Sequence, residues 1–181
     1  MADRKAFEEL AMPLLPVMYR AATAFAGNEP DARDLVQTVY LKALERFDRF
    51  ENGTNCKGWM MQIMRNTWID QLRRRRTAGP QVSLEADLLP APDDRPDEVD
   101  LRELLEQFSD SAIIRVLQEL PDSQRMALYL TDVEGLDQNE VAAILDIAVG
   151  TVKSRVSRAR SVLREKLQAH ARDMGFVGRR S

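Results

Sequence analysis

One cysteine, Cys56, and one histidine, His170, are all that 181 residues hold of those two types. A single cysteine excludes an internal disulfide framework and any paired-cysteine zinc site. With one histidine beside it, no metal-ligand set and no catalytic triad can be assembled, so neither a metal nor a cofactor is expected. There are no clustered carboxylates, no nucleophile–base pair and no glycine-rich phosphate loop, and the chain does not read as an enzyme. No stretch approaches the roughly 20 apolar residues of a membrane helix. Met1 to Leu10 carries acidic residues and no apolar run, so no signal peptide and no membrane insertion are expected, and a cytoplasmic location follows. Strand-like alternation and internal repeats are also missing. What remains is 44% hydrophobic and 30% charged residues, the composition of an ordered, helix-rich chain.

The net charge of −3 conceals a pattern. Residues 1–77 carry 13 basic and 10 acidic side chains, residues 78–110 carry 2 and 10, and residues 111–181 carry 11 and 9. Two mildly basic blocks therefore flank one acidic segment, and the acidic total is no argument against nucleic acid. The acidic segment also holds four of the eight prolines, Pro80, Pro90, Pro92 and Pro96. Proline stops helices and like charges repel, so 78–110 reads as a flexible linker with at most a short helical piece around Val99–Gln107. The expected fold is all-α: two small helical domains, 1–77 and 111–175, joined by that linker.

In the first block, Phe7 to Ala26 is apolar at helical spacing and should break at Pro13 and Pro16. Pro30-Asp31 opens a second helix, about Asp31–Phe47, with Leu35, Val39 and Leu41/Leu44 inward. A third, about Gly58–Arg76, buries Trp59, Ile63, Met64 and Leu72. Between them, Asp48–Lys57 is a loop with turn residues Asn52-Gly53 and Asn55. In the second block, helices over Ser111–Leu120 and Asp122–Asp132 are separated by Pro121, and Gly135 ends the pair. Asp137 can cap a short helix, Gln138–Leu145. Asp146–Gly150 is a turn, Thr151 to about Arg172 is a long last helix, and Gly175–Ser181 is a polar tail.

At roughly 100° per residue, Val152, Val156, Ala159, Leu163 and Leu167 form one side of that last helix, a core-facing stripe. Thr151, Ser154, Ser157, Arg158 and Ser161 fall opposite, with Lys153, Arg155 and Arg160 on the flanks. Small hydroxyl residues let a helix approach base edges, and an arginine among them can donate two hydrogen bonds to guanine. Flanking cations can meet phosphates. From Gly150 to Lys166 there are six basic residues and one acidic residue, Glu165. A basic amphipathic helix alone is equally an ordinary solvated face. The short helix and tight turn before it make a helix-turn-helix with the basic helix second, which points to DNA.

Three runs carry a resemblance: Asp132-Val133-Glu134-Gly135-Leu136, Asn139-Glu140-Val141-Ala142, and Val149 through Arg160. Together they resemble region 4 of extracytoplasmic-function (ECF) sigma factors. Asp31–Gln37, Phe47–Phe50, Trp59–Ile63, Arg65, Asn66, Ile69, Asp70 and Arg73–Arg76 resemble region 2 of the same family. The similarity covers about residues 5–172. It implies that Asp31–Phe47 docks on the clamp helices of the largest subunit of core RNA polymerase, with contacts at Asp34, Gln37 and Leu41. It further implies that region 4 meets the flap region, and that an anti-sigma factor covers the polymerase-binding surfaces. The −35 contacts would be Thr151, Lys153, Ser154, Arg155, Ser157 and Arg158. The loop Phe50–Lys57 resembles the segment that captures an unstacked base of the −10 element, where Asn52, Thr54, Asn55 and Lys57 supply hydrogen-bonding groups. From the loop alone, an ordinary Asn-Gly turn is the plainer reading. Gln62, Arg65, Asn66 and Arg73 lie in one polar stripe of the third helix that can track the promoter strand, and Arg73–Arg76 can meet phosphates. Trp59 and Trp68 at helical spacing read as core rather than as stacking platforms.

The chain departs from the family pattern at Thr38, where glutamate is frequent, and at Cys56, Gly58, Asp146 and Ala148. Asp146 stands where a turn glycine is common, and aspartate tolerates the left-handed conformation. The Gly53-Thr54-Asn55 loop, Ala127–Leu130 and the tail Ala171–Gly175 resemble the subgroup paired with zinc-containing, redox-sensing anti-sigma proteins; the general-stress subgroup has a similar loop. Two other readings compete, an interaction protein that mimics a sigma factor and a stand-alone helix-turn-helix regulator. The intact Ser154/Arg158 face argues against the mimic, and binding of core polymerase separates the regulator.

Overall fold

The computed structural model describes residues 2–51, 53–77 and 110–173. Asn52, the linker with its expected piece Val99–Gln107, and the tail lie outside the described residues, as do the side chains of Arg76 and His170. The described residues are helical with no strand, and they divide into two compact units.

The N-terminal unit opens with α1, Ala2–Ala11, which starts well before Phe7. The expected break is present. Met12–Leu14 is one 3-10 turn around Pro13, and Pro16 sits in the first turn of α2, Leu15–Ala26, where a missing N–H is no loss. Gly27 ends α2 in the left-handed conformation, φ 76°, and its N–H donates to the Thr23 carbonyl at 2.8 Å. α3, Glu29–Glu45, is capped by Asn28, whose Oδ1 accepts from the Asp31 N–H at 2.9 Å. A 3-10 turn, Phe47–Arg49, leads to the loop before α4, Cys56–Thr77.

α2 packs on α3 and α3 on α4, around Met18, Phe25, Leu35, Val39, Met60, Met64 and Trp68, each at most 2% exposed. The inward face of α3 is Ala32, Leu35, Val36, Val39 and Ala43. Leu41 and Leu44, expected inward, face out at 63% and 41% exposure. Leu41 lies about 180° around the helix from the centre of that face, so the helical period excludes it. On α4 the core positions are Met60, Met61, Ile63, Met64, Thr67 and Trp68, while Trp59 and Leu72 are only half-buried. Contacts with α1, α2 and α3 together widen the buried face of α4 beyond one stripe. Trp59 instead joins an aromatic cluster, its ring 5.0 Å from Phe50, which stacks on Phe47 at 5.6 Å.

The α3–α4 seam carries polar ties. Arg75 pairs with Asp31 at 2.8 Å and lies over the Trp68 ring, 5.6 Å from its centroid. The Gln71 amide donates to Asp34 at 3.3 Å, and Lys42 donates to the buried Thr67 hydroxyl at 3.1 Å. Within the arginine run expected to meet phosphates, Arg75 is therefore held by its own unit.

From Asp110 on, the chain forms α5, Asp110–Gln118; α6, Asp122–Leu128, continued by one π turn, Tyr129–Val133; α7, Gln138–Leu145; and α8, Val149–Asp173. α8 packs against α6 and, less extensively, α5. Arg125, 5% exposed, closes the end of α5 by donating to the carbonyls of Leu117, Gln118 and Leu120 at 3.3–3.4 Å, and it pairs with Asp122. A buried charge is tolerable only with such partners, and burial still pulls its pKa down against the opposing pull of Asp122.

Candidate nucleic-acid interface

α7 begins with a reciprocal cap. Asp137 Oδ1 accepts from the N–H groups of Asn139 and Glu140 at 2.7 and 3.0 Å, and Glu140 accepts from the Asp137 N–H at 3.0 Å. Asp146 ends it in the left-handed region, φ 54°. A short polar side chain tolerates that conformation, so the turn forms without the glycine common in the family. α8 then starts at Val149, two residues ahead of the expected Thr151.

The buried stripe of α8 falls where the period places it. Val152, Val156, Ala159, Leu163 and Leu167 are each at most 4% exposed. Thr151, Ser154, Arg155, Ser157 and Arg158 are half-exposed, and Lys153 is exposed. The Ser154 hydroxyl donates back to the Thr151 carbonyl at 3.0 Å, which keeps it close to the helix surface. Arg160, placed on a flank with the other cations, is engaged elsewhere. Its Nε and a terminal nitrogen donate to the two oxygens of Asp132 at 2.9 and 2.7 Å. Lys166 pairs with Glu119. Arg160 and Lys166 are thus bound to carboxylates of this unit, which composition could not foretell.

The candidates in the N-terminal unit are less cleanly separated from the framework. Gln62, Asn66 and Arg73 share one exposed stripe of α4, with Arg65 half-buried beside them. Arg65 donates to Asn66 at 2.7 Å, and Arg73 lies 3.9 Å from Asp70. Thr54 and Asn55 are exposed and Lys57 half-exposed at the foot of α4. The loop makes the expected tight turn, with Gly53 at φ 93° and the Thr54 hydroxyl donating to the Glu51 carbonyl at 2.7 Å. Asn55 Oδ1 accepts from the Gly58 N–H at 3.0 Å, so this residue caps α4. A Cβ at position 58 would stand 3.3 Å from Asn55 Nδ2, a tight approach to the capping side chain.

Asp34, Gln37 and Leu41 are exposed on a single face of α3. Glu29, Pro30, Arg33, Asp34 and Gln37 line a shallow depression of about 500 Å³. A second, of about 420 Å³, continues the same face through Gln37, Tyr40, Leu41 and Leu44 to Met12. Sequence reasoning missed Leu44 as an exposed apolar residue here. Tyr40 forms its wall and donates its hydroxyl to the Ala11 carbonyl at 2.8 Å. Burial, and to a lesser degree nearby Cys56, pushes its pKa up to about 12. Burial likewise raises the Cys56 thiol, which favours the unreactive protonated form. Among the described residues no group of histidine, cysteine and carboxylates could hold a metal, and no helix is long and apolar enough to cross a membrane.

Comparison with known proteins agrees with this geometry. Residues 10–78 match Sigma-70 region 2 and residues 110–163 match Sigma-70, region 4. The chain is 32% identical over 175 residues to the ECF RNA polymerase sigma factor SigE of Mycolicibacterium smegmatis, across 94% of this chain and 65% of that longer protein. It is 35% identical over 150 residues to the ECF RNA polymerase sigma factor EcfG of Rhodopseudomonas palustris, across 82% and 78% of the two. Among solved structures, it is similar to the sigma factor RpoE of Bartonella quintana, crystallised with the anti-sigma factor NepR, with a TM-score of 0.70, 32% identity, and 91% and 98% of the two chains covered. Both sigma regions occur in order, and relatives above 30% identity align across most of this chain: it belongs to the ECF family of RNA polymerase sigma factors.

Proposed function

We propose that this chain is a dissociable initiation subunit that acts in the cytoplasm, binds core RNA polymerase and directs it to promoters through a −10 and a −35 element. The observation that carries the reading is the two-sided α8, with a stripe at most 4% exposed on one side and Thr151, Ser154, Ser157 and Arg158 on the other. Such a helix, second in a helix-turn-helix, suits a major groove. Arg158 is assigned the bidentate base contact, with Thr151, Ser154 and Ser157 beside it; Lys153 and Arg155 are assigned phosphates. Gln62, Arg65, Asn66 and Arg73 are assigned the melted −10 strand, with Asn52, Thr54, Asn55 and Lys57 around an unstacked base. Asp34, Gln37 and the exposed Leu41 are assigned the clamp helices of the largest polymerase subunit, and the C-terminal unit the flap region. The domains are proposed as 1–77 and 111–175, tethered by 78–110.

An anti-sigma factor is the proposed regulator, since the related RpoE was solved with one. No cofactor and no catalytic step of the chain's own enters this scheme. Purified chain added to core polymerase should yield promoter-dependent transcripts from a genomic fragment library. Core binding with no promoter-dependent transcript from any fragment overturns the proposal.

A further inference from the structure

The ion pair between Arg160 and Asp132 joins the middle of α8 to the π turn that ends α6. Asp132 is the more buried partner, its side chain 12% exposed against 43% for Arg160. Both carboxylate oxygens are used, by two different guanidinium nitrogens, a fork geometry that fixes orientation as well as distance. The turn carrying Asp132 is itself pinned. The Glu134 N–H donates to the Tyr129 carbonyl at 3.0 Å and the Leu136 N–H to the Leu130 carbonyl at 3.1 Å. The Tyr129 hydroxyl donates to Glu134 at 3.0 Å, and the Thr131 hydroxyl to the Ala127 carbonyl at 2.8 Å.

Around α8, Arg160 lies about 40° from Val156, on the edge of the buried stripe and away from Ser154 and Arg158. A stripe of apolar contacts resists lifting of the helix more than rotation about its axis, and Ala159 is its smallest member. A side-chain tip about 6 Å from the axis moves by about 2 Å for each 20° of rotation. Hydrogen bonds to base edges tolerate only a few tenths of an ångström. A fixed point on the flank therefore decides whether the opposite face meets bases in register.

We infer that Asp132 and Arg160 are positioning residues for −35 recognition, holding the rotation of α8, and that Arg160 is not a phosphate contact. The inference rests on the reading of α8 as the −35 helix. It makes an unusual demand. Asp132→Asn removes a negative charge from a DNA-binding unit, so electrostatics alone strengthens DNA binding, whereas loss of the fixed point weakens binding to the specific sequence.

The test uses the full chain assembled with core RNA polymerase. The probes are a promoter duplex selected from a randomised library by the wild-type holoenzyme, the same duplex with its −35 half scrambled, and a template with a pre-melted −10 half alone. Asp132→Asn and Arg160→Met are expected to lower the preference for intact over scrambled −35 about tenfold, with the salt dependence of binding and the −10 template affinity unchanged. The swapped double variant, Asp132→Arg with Arg160→Asp, is expected to recover a substantial part of that preference, which a merely misfolded unit would not do. If the wild type shows no −35 preference, the reading of α8 fails and the inference with it. If the wild type discriminates and Asp132→Asn does so equally, the inference alone is overturned. It is also overturned if Arg160→Met weakens both duplexes alike and lowers the salt slope by about 1, the mark of a lost phosphate contact, or if the swap recovers nothing.

Discussion

The two units present their candidate DNA-binding groups in different ways. In the C-terminal unit the candidates share one helix: α8 buries five apolar side chains on one side and leaves Thr151, Ser154, Ser157 and Arg158 half-exposed on the other. In the N-terminal unit the candidates hold the framework as well. Asn55 caps α4, Arg65 donates to Asn66, Arg73 lies beside Asp70, and the polymerase candidate Asp34 accepts from Gln71. A preformed face suits a duplex groove, whose donors and acceptors are already in place. Groups that already hold an internal hydrogen bond, Asn55 and Arg65 in the first unit and Ser154 in the second, must exchange it for an external one. The net gain per contact is then the small difference between two similar bonds, and selectivity has to come from several contacts together.

Four measurements would break or sharpen this contrast, the largest effect first. Leu163→Ala removes a side chain with no exposed surface from the α8 stripe and should destabilise the C-terminal unit by about 3 kcal/mol. Urea denaturation followed by far-UV circular dichroism should show one unit melting early while the other holds; a single unchanged transition would contradict the stripe as the source of that unit's stability. Arg158→Ala should weaken binding to the intact −35 duplex by about 1–3 kcal/mol and leave scrambled duplex little affected. Lys153→Ala should weaken both alike, and identical behaviour of the two variants in a competition assay would dissolve the distinction between reading and positioning groups on α8. Asn55→Ala should cost about 1 kcal/mol of N-terminal unit stability through the lost cap. If −10 template binding falls no further than that loss explains, Asn55 is a cap only.

The smallest effect is a pH dependence. Hydrogen bonds from Asn28 and then Arg75 hold the Asp31 carboxyl below its ordinary value. A carboxyl depressed in the folded state contributes stability that is fully present above its unfolded pKa and is lost as pH falls through the folded one. Acid titration of the melting temperature should therefore decline less steeply in Asp31→Asn than in the wild type, and parallel curves would show that the α3–α4 tie contributes nothing.

The residues that sequence made plain were those governed by one local rule. The α8 stripe follows from the 3.6-residue period, the breaks from Pro13, Pro16 and Gly135, and the α7 cap from Asp137. What stayed hidden depends on neighbours distant in sequence. Leu41 is excluded by the helical period once the inward face is fixed by Leu35 and Val39, whereas Leu44 lies nearer that face and only the packing of α2 and α4 on α3 shows it to be left out. Arg125, Arg75 and Arg160 look alike as surface cations in a sequence. The structure makes the first a buried cap of α5, the second a tie between helices and the third the partner of Asp132. The loop before α4 was legible as a turn, from its Asn-Gly pair, but the duty of Asn55 as a helix cap was not.

Both tryptophans of the chain, Trp59 and Trp68, belong to α4. Intrinsic fluorescence excited at the red edge of the protein band is therefore a private signal of one unit and silent for the other. Trp68 is enclosed under the Arg75 guanidinium and should report the integrity of the α3–α4 seam, while half-buried Trp59, next to the loop, should respond when a strand or a partner settles there. The chain thus carries an optical label that can time events at its N-terminal unit, without any dye, while the C-terminal unit engages duplex unobserved.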